Sequence, residues 1–229
     1  MRYNSDRQAL RTKVARLLVC GVAVAGSLGM ATQAAAQNVK PPATPTLITP
    51  PAGNSAFLVG HAFGTQGYVC LPTSPGADTA SWTVNGARPE ATLFETFLGQ
   101  EFQIITHFLS PDTNHNDAAP NPLPFGSATW QSSFDSSKVW AQVLHKNTIP
   151  AGSDPSCPNS GAIACLLLQS IGSQAGTNGG NTLSKTTFVQ RLNTKGGSAP
   201  EDGCSVASDV GSQALVPYTA DYYFYRKDN

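Results

Sequence analysis

Apolar and aromatic residues in this chain recur at every second position, in short runs cut apart by Gly-, Pro-, Ser- and Asn-rich stretches. Successive side chains of a strand point to opposite faces, so a period of two marks β-structure. Phe63–Leu71 puts Phe63, Thr65, Gly67, Val69 and Leu71 on one face and Tyr68 and Cys70 on the other. Leu183–Thr194 and Tyr218–Arg226 alternate in the same way, and the second carries aromatic bulk on both faces, as a central strand does. Ser81–Val84 with Trp82, Phe102–Phe108 and Ser137–Leu144 are rich in β-branched and aromatic residues. Pro72–Ala77, Pro111–Gly126, Ser173–Asn181 and Lys195–Gly203 separate these runs, and 21 Gly and 17 Pro leave little room for long helices. The expected fold is therefore all-β, a single-domain antiparallel sandwich or barrel with long loops. Residues 162–171 read equally as one short helix, ended by Gly172, or as a buried strand.

The N-terminus has a different character. Arg2, Arg7, Arg11, Lys13 and Arg16 precede the uncharged apolar stretch Leu17–Ala31, and Ala34–Ala36 offers a small-residue cleavage site before Gln37. This order predicts a Sec-type signal peptide over residues 1–36, whose apolar run is too short to span a bilayer. A proline-rich linker or tail is expected over 37–55 and one β domain over 56–229. Localisation is then periplasmic or extracellular, with no transmembrane segment after cleavage. Without residues 1–36 the chain carries 9 basic and 13 acidic side chains, which gives no footprint for nucleic acid.

Cys20 leaves with the signal; Cys70, Cys157, Cys165 and Cys204 remain. An even count in an exported chain predicts disulfides, with three possible connectivities. The short loop between Cys157 and Cys165 favours that pair, which leaves Cys70 for Cys204. Neither Cys-x-x-Cys nor paired histidine spacing supports a metal site, and none is expected.

Candidate functional residues are scattered. His61 sits among glycines in Val59–Gly64; His107 ends a strand and, with Asp112 and His115, offers ligand-type side chains within nine residues. Glu90, Glu95 and Glu101 lie close in sequence, but nothing in it turns them toward one cleft, and they read as solvated surface acids. Gly-x-Ser-x-Gly, Gly-x-Gly-x-x-Gly and the phosphate loop are missing, so no nucleotide cofactor is expected, and Ile171–Gly180 reads as a hairpin loop. Gln190-Arg191-Leu192-Asn193-Thr194-Lys195-Gly196-Gly197 is the densest polar cluster. On a strand Gln190 and Arg191 face opposite ways, so one of them points inward and needs a partner such as Asp135 or Asp221. Arg191 with Asn193, and Trp130 or Tyr223, forms a candidate grip on a polar ligand.

Thr187–Cys204 (TFVQRLNTKGGSAPEDGC) and Val216–Tyr225 (VPYTADYYFY) resemble the C-terminal signature of the DUF3455 family of exported proteins. Gly60–Gly64, Gln66–Cys70, Thr129-Trp130 and Asp135–Val139 are similar to its earlier motifs, with Ser136 in place of a Gly and Ala164–Leu167 in place of Pro-Trp-Leu-Leu. The resemblance implies that Cys70–Cys204 is the family-wide disulfide and Cys157–Cys165 an added one. It implies no reaction and no catalytic residues. The expected function is a non-enzymatic envelope or extracellular domain binding a ligand or envelope polymer, through residues such as His61, His107, Trp130, Gln190, Arg191 and Asn193. The alternative is a secreted hydrolase acting on a polar substrate, carbohydrate among them.

Overall fold

Eight antiparallel strands form a closed barrel in simple up-and-down order. The structure, a computed structural model, describes residues 39–110 and 127–228, with backbone alone for 85–89 and 144–145. The expected signal segment and the pair Asp112 and His115 lie outside these residues. The strands are β1 (Asn54–Pro72), β2 (Ala80–Phe97), β3 (Gln100–Ser110), β4 (Ser127–Ser132), β5 (Lys138–Ile149), β6 (Cys165–Gln174), β7 (Thr186–Gly196) and β8 (Gln213–Lys227). Among the described residues the remaining regular elements are two 3₁₀ turns, Thr46–Ile48 and Ala207–Asp209. Closure comes from β1 pairing with β8 from Asn54↔Lys227 to Val69↔Gln213. A closed barrel leaves no edge strand for unwanted pairing.

Residues 165–174 are strand, which settles the helix-or-strand ambiguity. Leu168 belongs to the barrel interior, with Leu166 packed against it, while Cys165 and Leu167 belong to a second cluster outside. Burial on both faces produces a continuous apolar run without alternation. The same holds for β8: Tyr222 and Phe224 face inward, Tyr223 and Tyr225 outward.

The lower half of the interior is apolar. Leu93, Ile105, Val139, Leu168, Val189 and Phe224 meet there, and Leu183, just ahead of β7, turns in to plug that end. One carboxylate clasps the plug. Asp135, in the β4–β5 turn, accepts Ser137 N and Oγ at 3.0 and 2.7 Å, and Thr182 N and Oγ1 at 2.9 and 2.7 Å. Burial alone would raise its pKa, but these bonds outweigh that and hold it well below the usual carboxylate range. The glycine-rich 173–181 segment packs directly on this clasp: a Cβ at Gly176 would sit 1.6 Å from the Asp135 carbonyl oxygen. Ser136, standing where the resembling family has glycine, adopts φ +60°.

The proline-rich segment expected as a linker or tail lies against the barrel from Val39 onward. Ile48 is fully buried with Ile149, Leu167, Leu192, Tyr223 and Tyr225, and Val39 packs beside them. At the upper end, where residues 73–79, 150–164 and 197–212 connect strands, disulfides join Cys70 to Cys204 and Cys157 to Cys165. The first bridge spans 134 residues, a closure worth about 5 kcal/mol in the chain-entropy model.

Candidate functional site in the upper half of the barrel

Gln190 and Arg191 are the residues through which β7 treats its two faces differently. Val189 is inside the barrel and Leu192 outside, so Arg191 points in and Gln190 out. Gln190 is fully buried and fully used. Its Nε2 donates to Ile48 O at 2.6 Å, and its Oε1 accepts from Tyr225 OH at 2.6 Å. It anchors the N-terminal arm.

Arg191 has no such complement. Its Nε and Nη2 donate to a single oxygen, Ala164 O, at 3.2 and 2.9 Å. The acids expected as partners are taken: Asp135 by the clasp below, and Asp221, on the outer face, by His61 and Asn193. Among the described residues Arg191 makes no ion pair, although it is partly buried. A guanidinium carries five donors in a planar fork, so this one retains donor capacity and an unneutralised charge.

The residues that feel this charge are Tyr68, Tyr218 and His107. Tyr68 OH donates to Gly197 O at 2.6 Å, and Tyr218 OH lies 3.0 Å from Tyr222 OH. Burial pushes both Tyr68 and Tyr218 above the ordinary phenol value, while Arg191 pulls them back only in part. They are neutral hydroxyls at any ordinary pH.

His107 lies on β3 opposite Ala91 and Trp130. Its ring stacks on the Trp130 indole at 4.1 Å and 6°, with Tyr222 tilted against both at 5.7 and 5.8 Å. Burial pushes its pKa down to about 4, and the Arg191 charge adds to this against the bond to Thr129. The imidazole is therefore neutral. Nδ1 lies 2.8 Å from Thr129 O, which can only accept, so the proton sits there and Nε2 is an acceptor. Trp130 is 1% exposed, and its Nε1 finds no acceptor among the described residues. A buried N–H without a partner costs about 1–3 kcal/mol, so the stacked pair brings an open donor and an open acceptor to one place.

His107, Trp130 and Arg191 thus share the interior, while His61, Gln190 and Asn193 lie outside it. His61 is half exposed and its Nδ1 is 2.6 Å from Asp221 Oδ1; Asn193 Nδ2 donates to Oδ2 at 2.7 Å. The expected pairing of Arg191 with Asn193 fails because β7 shifts register between Leu192 and Lys195, and Asn193 at φ +51° aims its amide at β8. Tyr68, Tyr218 and Tyr222 were not singled out from sequence as site residues. Their signal was the inward alternation of β1 and β8 opposite an arginine.

Among the described residues no group of three or more His, Cys, Asp and Glu side chains is placed to hold a metal. Nor, among those residues, is any helix long and apolar enough to cross a membrane. Searches of curated proteins and of solved structures give no significant match. A family model does match, over residues 51–226, and takes in all eight strands and every residue of the Arg191 cluster. The chain belongs to DUF3455, a family of proteins of unknown function.

Proposed function

We propose that this is an exported, non-enzymatic binding protein that takes a small molecule with an anionic group into the upper half of its barrel. The observation that carries this is Arg191, a partly buried cation without a carboxylate partner among the described residues. Leaving such a charge uncompensated is costly, and a ligand anion removes the cost. Around it stand the ingredients of a pocket that orients what it binds: tyrosine hydroxyls, an imidazole acceptor at His107 Nε2, and aromatic walls from Trp130 and Tyr222. The interior of an eight-stranded barrel is wide enough either to be filled by side chains or to hold one small ligand. Export is supported by the signal-like N-terminus and by the two disulfides, which persist in oxidising compartments.

Calorimetry with benzoate, set against benzyl alcohol, tests the reading. Benzoate should bind, benzyl alcohol should not, and Arg191→Met should weaken benzoate by at least about tenfold, or 1.4 kcal/mol. Equal binding of the alcohol, or an Arg191→Met variant that binds like the wild type, would falsify it. The hydrolase alternative draws support from the oriented His61–Asp221 pair on the outer face. It requires release of reducing ends from a polysaccharide, and loss of that release in His61→Gln.

A further inference from the structure

On the outside of β1, β2 and β3 the sheet surface sinks into an open depression of about 420 Å³. Its floor is backbone. Gly64, Ala91 and His107 are paired in register across the three strands, and Ala91 and His107 turn their side chains inward. Gly64 is obligatory for this, because a Cβ there would meet Glu90 O at 2.1 Å and the Ala91 Cβ at 2.5 Å. The rim comes from the outward residues on either side: Phe63 and Thr65, Glu90 and Thr92, Thr106 and Phe108.

We propose that this depression binds a segment of an uncharged polysaccharide. Phe63 is 52% exposed, and Phe94 holds it edge-on with ring centroids 5.9 Å apart. An aromatic face kept in water at a fixed angle is unfavourable unless something covers it. The C–H face of a sugar ring is such a cover. Thr65, Thr92 and Thr106 add hydroxyls that both donate and accept, and Glu90 adds a carboxylate that accepts from sugar hydroxyls. Among the described residues Glu90 makes no ion pair and no cation lines the depression. Its charge therefore selects against a polyanion. The volume lies within the roughly 300–1,000 Å³ range of small-ligand sites. The open form admits a chain passing through rather than a closed-in monomer. A stable protein partner needs about 800 Å² from each side with an apolar centre, and this rim is mostly hydroxyl.

This site is independent of Arg191. It is tested by affinity electrophoresis of the signal-free chain through gels containing hydroxyethyl cellulose, glucomannan or, as the charged control, polygalacturonate. A neutral polymer should retard the wild type. Phe63→Ala should weaken retardation by about tenfold, equivalent to 1.4 kcal/mol, and Thr92→Arg, which fills the depression, should abolish it. Arg191→Met should be retarded like the wild type, which separates this site from the barrel interior. The proposal is overturned if neither neutral polymer retards the protein, if polygalacturonate alone does, if Phe63→Ala runs like the wild type while retaining its native circular dichroism, or if light scattering shows that Phe63 instead mediates self-association.

Discussion

The wall made of β7, β8 and β1 carries polar groups on both faces, and the two faces treat them in opposite ways. Outside, the polar groups at its centre have their complements. Gln190 serves Ile48 and Tyr225, and Asp221 serves His61 and Asn193. Inside, Arg191 spends two donors on one carbonyl, and facing it from β3 and β4 His107 and Trp130 keep an acceptor and a donor open. Satisfied polar groups hold a structure together; unsatisfied ones beside an unpaired charge are held in readiness for something else. Adjacent residues on one strand therefore do different kinds of work.

The largest effect should come from breaking the satisfied side. Gln190→Leu leaves Ile48 O and Tyr225 OH buried without partners and detaches the arm from the barrel. A loss of about 3 kcal/mol is expected, read as a lower urea midpoint. Arg191→Met, at the next residue, should stay within about 1 kcal/mol of the wild type, because the two bonds it loses to Ala164 O are offset by removing a partly buried cation that has no ion-pair partner among the described residues. If both variants lose the same amount, the contrast between the faces is mistaken.

Acid offers a second and smaller test, confined to the inner face. The folded pKa of His107 is lowered from 6.5 to about 4, so between those values the unfolded chain binds a proton that the folded chain refuses. Stability is fully present above the unfolded value and is lost as pH falls from about 6.5 toward 4. By pH 5 the loss attributable to His107 is about 2 kcal/mol, from 1.36 kcal/mol per pKa unit. His107→Gln should therefore remove that part of the slope. Denaturant midpoints at pH 7 and pH 5 decide the matter; a variant with the wild-type slope would place the acid sensitivity elsewhere.

Strand alternation was legible because one face of each run is buried, and in β7 it even showed that Gln190 and Arg191 part company. Which of them goes inside was not legible, since Val189 and Leu192 beside them are both apolar and both buried. The answer depends on Ile48 covering the outer face, and nothing in a proline-rich composition signals a docked arm. β4 escaped notice as a run for a similar reason: SATWQS is short and mostly polar, and Trp130 is its one large apolar side chain. The candidate site was legible residue by residue but not as an assembly. Tyr68, His107, Trp130, Arg191 and Tyr218 come from five strands, and barrel closure is what brings them into one interior. Closure depends on pairing β1 with β8 across most of the chain, information that no local window contains.

The smallest expected effect asks whether the two faces are also independent of each other. Asn193 sits where β7 bulges, at φ +51°, a conformation that asparagine tolerates better than most residues. Its amide holds the Asp221 oxygen that His61 leaves free. Asn193→Gly keeps the backbone comfortable and loses one half-exposed hydrogen bond, so stability should fall by no more than about 0.5 kcal/mol. Asn193→Ala loses the same bond and, unlike the glycine variant, keeps a Cβ in the left-handed region without the asparagine's tolerance of it, a cost of about 1 kcal/mol beyond Asn193→Gly. The difference between the two variants is then the backbone's share of the bulge, with the side-chain bond cancelled. Neither should alter benzoate affinity, because the amide points away from the barrel interior. If Asn193→Ala lost benzoate binding as Arg191→Met is expected to, the bulge would be setting the position of Arg191 through the strand, and the outer face would be part of the inner site.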